Sequence, residues 1–211
     1  MKASKSDKQL LNVPEFEKLQ NLLSGDKDGK GGVSDAELMH LAWLAAQVPA
    51  GGVIVEIGSH RGKSTCALGC GLRAAGNVTG KIFAIDLWTK GIGKTFSHYS
   101  SMQTWRIFNE QVTALGLGNV VQTRMMSSAE AAAKRAKPID LLFIDASHKY
   151  KDVKQDYDLW HKFVPAGGWI AFHDFGTRFK GVDQTVAEAV ASGLWEEGKV
   201  HDRIWSARRK A

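Results

Sequence analysis

From about residue 50 onward, short apolar runs alternate with stretches of helical periodicity, and this alternation constrains the fold more than any other feature of the chain. The runs are Val53–Ile57, Ile82–Ile85, Val120–Gln122, Leu141–Ile144 and Trp169–Phe172. Between them lie helix-patterned stretches at Ser64–Ala75, Tyr99–Leu115, Ser128–Arg135 and Lys151–Phe163. In the last of these, Val153, Tyr157, Trp160 and Val164 recur at helical spacing and make one apolar face. Strands alternating with helices predict βαβ units, hence a doubly wound α/β fold whose parallel sheet is covered on both sides. A further helix at Val182–Ala191 precedes two short runs, Leu194–Val200 and Arg203–Ala207, which read as a terminal hairpin turning near His201-Asp202.

The first forty-nine residues read as an N-terminal helical cap, with helices at Glu15–Leu23 and Asp35–Gln47, and residues 50–211 as one α/β domain. Between the two helices, Asp26–Glu37 matches much of an EF-hand calcium loop, but Lys30 puts a cation where a ligand oxygen belongs. A glycine-rich turn into a helix, with Ser34 as N-cap and Glu37 completing a capping box, is the simpler account. No apolar run reaches the roughly 20 residues that span a bilayer, and no secretory leader is evident, so a soluble cytoplasmic protein is expected. Cys66 and Cys70 have no second pair with which to build a metal site, and are expected to be reduced and semi-buried. A formal charge of +6 permits nucleic-acid partners, yet only Arg208-Arg209-Lys210 form a tight basic cluster, so charge does not argue for one.

The stretch VEIGSHRGKST, Val55–Thr65, opens like one kind of nucleotide loop and closes like another. A P-loop needs four residues between its first glycine and Gly-Lys-Ser; here only Ser59, His60 and Arg61 separate Gly58 from Gly62. The dinucleotide pattern fails too, because residue 60 is His. What fits is strand, then E-x-G-x-x-x-G, then helix. Gly58 and Gly62 allow a tight turn and close approach to a ligand, and Ser64 lies at a helix start that favours a carboxylate. Glu56 before the turn suits a cationic ligand better than a polyphosphate. S-adenosylmethionine (SAM) has both the cationic and the carboxylate end. Asp86 closes the next strand, where an acid accepts hydrogen bonds from ribose hydroxyls.

Residues from about 50 to 207 resemble the class I SAM-dependent methyltransferases. Within that class, D-x-S-H-x-Y at Asp145–Tyr150 followed by P-x-G-G-x-x-x-x-H-D at Pro165–Asp174 resembles the metal-dependent small-molecule O-methyltransferases, namely the catechol enzymes and, more closely, the macrolide-sugar enzymes. The resemblance implies a Rossmann-like, seven-stranded, mostly parallel sheet with an antiparallel last strand. It implies Glu56, Gly58, Ser59, Gly62 and Ser64 around the methionine part of SAM, Asp86 on the ribose, and Ser128 on adenine with Glu130 nearby. It also implies a hydroxylated small-molecule acceptor, sugar- or phenol-like, and dimers or larger homo-oligomers.

Asp145 ends the fourth strand and Asp174 follows the fifth; adjacent strands lie about 5 Å apart, so both carboxylates can converge on one cleft. Two acids together repel unless one protonates or a cation bridges them, and a divalent metal, magnesium by preference, is the expected bridge. His148, three residues beyond Asp145, suits a general base near neutral pH, where the resemblance puts a lysine in the catechol enzymes and a histidine in the sugar enzymes. At His173 the relatives carry a second acid. This histidine either joins Asp145 and Asp174 as a metal ligand, opening the site to zinc, manganese or iron, or only hydrogen-bonds beside a two-ligand site. Leu87–Trp105, with Lys90, Lys94, His98, Tyr99 and Trp105, reads as a lid that could recognise the acceptor. Two rival functions stay in view: a P-loop NTPase or kinase, opposed by the short loop, and a non-catalytic SAM-fold binding protein.

Overall fold

Strand β1 (Val53–Ile57) is buried from Ile54 onward on both faces, the pattern of an inner parallel strand. Around it the computed structural model, which describes residues 32–88, 98–135 and 137–211 together with Glu17 and Leu19, builds a seven-stranded sheet. In chain order the elements are α1 (Asp35–Ala46), β1, α2 (Lys63–Ala74), β2 (Lys81–Asp86), α3 (His98–Ala114), β3 (Val121–Met125) and α4 (Ser128–Ala133). They continue as β4 (Leu141–Ile144), α5 (Tyr150–Trp160, followed by a 3-10 turn over His161–Phe163), β5 (Trp169–Phe172), α6 (Lys180–Ala191), β6 (Lys199–His201) and β7 (Ile204–Arg208). The strand order is β3-β2-β1-β4-β5-β7-β6, and β7 runs antiparallel to both of its neighbours.

The chain winds outward from β1 through β2 to β3, then returns to the other side of β1 for β4 and β5. This reversal leaves a crevice beyond the carboxyl ends of β1 and β4, the place where open α/β sheets bind ligands. The expected run at Val120–Gln122 is longer than its apolar residues, because Thr123 and Arg124 on this edge strand are only half-buried and give no apolar cue.

Two apolar layers flank the sheet. One contains Val153, Tyr157 and Trp160 of α5 with Val182 and Val186 of α6. The other joins Leu68 and Leu72 of α2 to Phe108 of α3 and to α1. Leu38, Leu41 and Leu44 of α1 are 2%, 0% and 0% exposed. Each such burial contributes about 1.5–3 kcal/mol, so α1 is a working layer of this core. The contact is close: a Cβ on Gly71 of α2 would fall 2.1 Å from the Ala42 carbonyl. Ser34 caps α1 through a capping box with Glu37.

Both cysteines are buried thiols. Among the described residues no helix is long and apolar enough to cross a membrane. The Asp26–Lys30 part of the calcium-like loop, most of the expected Glu15–Leu23 helix and residues 89–97 of the expected lid lie outside the described residues.

Candidate active site

The β1–α2 turn is dictated by what passes against it. Gly58 sits at φ 92°, and a Cβ there would fall 2.4 Å from the Asp145 carbonyl, so the end of β4 presses on this turn and no other residue fits. The Gly58 N–H donates to the Ile85 carbonyl (2.8 Å), tying the turn to β2. Gly62, at φ 87°, starts α2 without a side-chain cap, so the first-turn N–H groups keep their capacity to donate. Asp86 braces the turn from the other side: its carboxylate accepts the N–H groups of His60 and Trp88, each at 2.8 Å. Trp88 in turn donates its indole N–H to the His60 carbonyl (2.8 Å).

Glu56 departs from expectation. It is fully buried under the turn and does not line the cavity. Its carboxylate accepts hydrogen bonds from Ser59 Oγ (2.7 Å) and from the Thr65 hydroxyl. Burial pushes its pKa up to about 7, opposed by the hydroxyls of Ser64, Thr65 and Ser59. Glu56 therefore ties the turn to the helix start from beneath.

Above the turn lies a cavity of about 810 Å³, within the range of small-molecule sites. Its walls include Gly58, Ser59, Ser64, Asp86, Ser128, Asp145, His148, His173 and Asp174, so one space unites these expected site residues; Gly62, like Glu56, is not part of the wall. At its β3–α4 corner, the Ser128 hydroxyl accepts from the Trp160 indole N–H (2.8 Å). Trp105, expected in the lid, is instead stacked on Phe108 with ring centroids 5.7 Å apart, beside the core.

At the opposite end the acids converge as the strand pairing requires. Asp145 leaves β4; Asp174 follows β5 in the left-handed conformation, φ 61°. His148 Nε2 lies 2.7 Å from Asp174 Oδ2, and its ring stacks on Phe179 at 3.9 Å. His173 does not project as a free ligand. Its Nδ1 lies 3.0 Å from Asp145 Oδ1 and 3.5 Å from Asp174 Oδ2, and its Nε2 lies 3.3 Å from Glu37 Oε1, off the direction of a hydrogen bond. Burial alone would lower its pKa, but the three surrounding carboxylates outweigh it and push the value up to about 12. A doubly protonated ring has no lone pair for a metal and a neutral ring keeps one, so the cation between the two aspartates and the expected metal ligand are alternative states of His173.

Two residues of this cluster carry no sequence signal for this site: Glu37 of α1, read only as a capping-box or loop acid, and Arg203 of the β6–β7 turn. Arg203 donates to Glu37 Oε2 (2.7 Å) and lies 3.4 Å from Asp174 Oδ1. Burial would raise the Asp174 pKa, yet His173, His148 and Arg203 hold it below its ordinary value, so Asp174 stays ionised.

A metal has one candidate seat among the described residues. Asp145, His148 and Asp174 each offer a ligand atom, all within 4.8 Å of one another. The nitrogen donor within this cluster is His148, whereas the expected set had His173. An oxygen–nitrogen–oxygen set fits manganese, iron or zinc better than magnesium.

Residues 55–175, more than half of the chain, match the family described as Methyltransferase domain. Among solved structures, cofactor-bound Rv0187 from MTB superposes with a TM-score of 0.68 at 15% identity, over 100% of this chain and 99% of that one. The O-methyltransferase TomG from Streptomyces achromogenes, solved with SAM, gives 0.66 at 15% identity over 94% and 91%. An O-methyltransferase from Bacillus cereus, solved with S-adenosylhomocysteine (SAH), gives 0.65 at 16% identity over 93% and 91%. At these identities the likeness shows a shared fold. Among curated proteins, y4gI of Sinorhizobium fredii, itself uncharacterised, is 29% identical over 129 residues, and R132 of Acanthamoeba polyphaga mimivirus 49% identical over 37. The matches span only 14% and 17% of those two proteins.

Proposed function

The chain belongs to the methyltransferase-domain family, and from that premise we propose that it moves a methyl group from SAM to a hydroxyl oxygen of a small acceptor, sugar- or phenol-like. One observation carries the reading: a single cavity joins the Gly58 turn and Asp86 at one end to the His148–Asp174 pair at the other. Asp86 would take the ribose hydroxyls on its remaining lone pairs, and the uncapped start of α2 beside Ser64 would receive the cofactor carboxylate. The sulfonium methyl then points toward the acid-lined end.

There the acceptor oxygen attacks the methyl carbon in line. The carbon–sulfur bond breaks with its electrons to sulfur, leaving SAH, and the acceptor proton passes to His148. Asp174, ionised and 2.7 Å from His148 Nε2, orients the ring and stabilises the imidazolium that forms. Alignment of oxygen, carbon and sulfur supplies much of the acceleration.

The Asp145–His148–Asp174 geometry favours a second reading, in which these three residues hold a divalent cation. Such an ion, when bound, supplies Lewis acidity to the acceptor oxygen. His148 cannot then serve as base, because its lone pair is spent on the ligand bond. Chelation separates the two: turnover that survives exhaustive EDTA treatment supports the His148 base, and turnover lost to EDTA and restored by manganese supports the metal.

The cofactor assignment is tested by calorimetric titration with SAM, SAH and ATP. SAH binding without ATP binding is the expected result. ATP binding without SAM or SAH would overturn it in favour of an NTPase, and SAH binding with no turnover against any hydroxylated acceptor would favour a binding module.

A further inference from the structure

The cavity wall holds a buried carboxylate that methyl transfer itself does not use. Asp156, on α5, is 7% exposed and lines the cavity at the corner where α4 packs on α5, beside Met126 and Ser128. Burial pushes its pKa up to about 6, and the Ser128 hydroxyl counters by hydrogen-bonding to it. The Ser128 oxygen also accepts from the Trp160 indole N–H at 2.8 Å. The serine expected on the nucleobase already accepts one bond from a neighbour, and the Asp156 carboxyl group lines the cavity beside it.

The cavity's layout says what meets that carboxylate. Asp86 ends β2, which lies between β1 and β3. With the ribose on Asp86 and the amino-acid arm over β1 toward α2, the base extends the other way, over the β3–α4 turn at Met126–Ala129. SAM's polar donors are its ribose hydroxyls, its ammonium and the exocyclic amino group of adenine. The first two are placed elsewhere, so the amino group is what reaches this corner.

We propose that Asp156 reads the nucleobase: its carboxylate accepts a hydrogen bond from the adenine N6 amino group and turns away a base that carries an oxygen there. The inference rests on the SAM assignment above and adds a residue that enforces it. A carboxylate facing a carbonyl oxygen leaves two acceptors opposed in a partly dry pocket, whereas a charge-assisted bond to an amino group is favourable.

The test compares SAH with its deaminated analogue S-inosylhomocysteine, in which the amino group becomes a carbonyl oxygen and the adjacent N1 gains a proton, by calorimetry on the full chain. Wild type is expected to bind SAH at least about tenfold tighter, in line with a hydrogen bond to a charged group. Asp156→Asn can turn its amide N–H₂ toward the oxygen, so its preference is expected to shift toward the inosine ligand by at least about tenfold. An unchanged ratio in the variant, with both affinities lowered together, would overturn the proposal and leave Asp156 as a prop for Ser128 and Trp160. Equal binding of both ligands by wild type would overturn it without recourse to any variant, even one that fails to fold. Binding of neither ligand by wild type would fail the SAM reading itself and carry this inference down with it.

Discussion

Arg203 Nη2 stands 2.7 Å from Glu37 Oε2, joining the β6–β7 turn to the first turn of α1 across 166 residues of sequence. Glu37 is completely buried, while the Arg203 side chain is 30% exposed. The pair continues inward: Glu37 meets His173, His173 meets Asp145, and Arg203 reaches Asp174. The N-terminal helix thus contributes a charge to the active-site cluster as well as apolar side chains to the core.

Removing that charge should cost stability. Glu37→Ala leaves two cations, Arg203 and buried His173, without their common partner, and breaking a buried pair in this way costs about 3 kcal/mol. Burial would raise the Glu37 pKa, but the neighbouring His173 ring and the bonds from the Ser34 N–H and Arg203 hold it below its usual value. A depressed carboxyl stabilises the fold above the unfolded pKa near 4.5 and loses that contribution as pH falls through its lower folded value. Urea unfolding at pH 7 and pH 3 checks this: the gap between wild type and Glu37→Gln should narrow in acid. A gap as large at pH 3 as at pH 7 would refute the linkage.

Glu56 titrates with the opposite sign. Its folded pKa is raised from 4.5 to about 7, so between those values the native state binds the extra proton and stability falls as pH rises. Glu56→Gln removes the titration and keeps an oxygen to accept from Ser59 and Thr65. Melting temperature followed from pH 4.5 to 8 should decline in wild type relative to the variant, with parallel curves as the contrary result.

Gly58→Ala forces a left-handed residue and drives a methyl group to 2.4 Å from the Asp145 carbonyl. Because that carbonyl belongs to the chain at the end of β4, the strain displaces the glycine turn and the Asp145 side of the cleft together. A stability loss of about 2 kcal/mol or more is expected from strain of this kind, with SAH affinity falling at least tenfold. Thermal melts with and without SAH measure both; near-normal affinity would mean that the turn does not contact the cofactor.

What could be read from sequence follows from how local each feature is. The inner strands β1, β4 and β5 announce themselves because burial on both faces demands continuous apolar runs. The converging acids follow from topology, since β4 and β5 pair and Asp145 and Asp174 lie just past their ends. Glu37 was visible only as a capping box, which it is: the Ser34 N–H donates to its carboxylate at 2.6 Å. Its second partnership depends on Arg203, and no local periodicity reports a contact across 166 residues. His173 illustrates the same limit in part: Asp145 and Asp174 flank it from the sheet edge, but the third carboxylate near it, Glu37, approaches from a helix that precedes the sheet. Asp156 had a faint cue. It lies three residues after Val153 and four before Trp160, so it borders the apolar face of α5, where an acid needs a partner.

In the proposed reaction His148 is the residue on which the chemistry turns. Its Nε2 is 2.7 Å from Asp174, and its ring is fixed against Phe179, an arrangement that orients a base without touching the glycine turn or Asp86. His148→Ala should therefore lower kcat by about 10²–10⁴, the usual worth of a positioned general base, with SAH affinity within about twofold of wild type. Asp174 should stay ionised in the variant, because His173 and Arg203 still neighbour it. Single-turnover rates measured together with SAH calorimetry separate the outcomes. A rate within threefold of wild type would place the base elsewhere. A collapsed SAH affinity would make His148 a cofactor contact. A lost rate that accompanies a lost manganese affinity, with wild-type turnover sensitive to EDTA, would assign His148 to the metal instead of the proton.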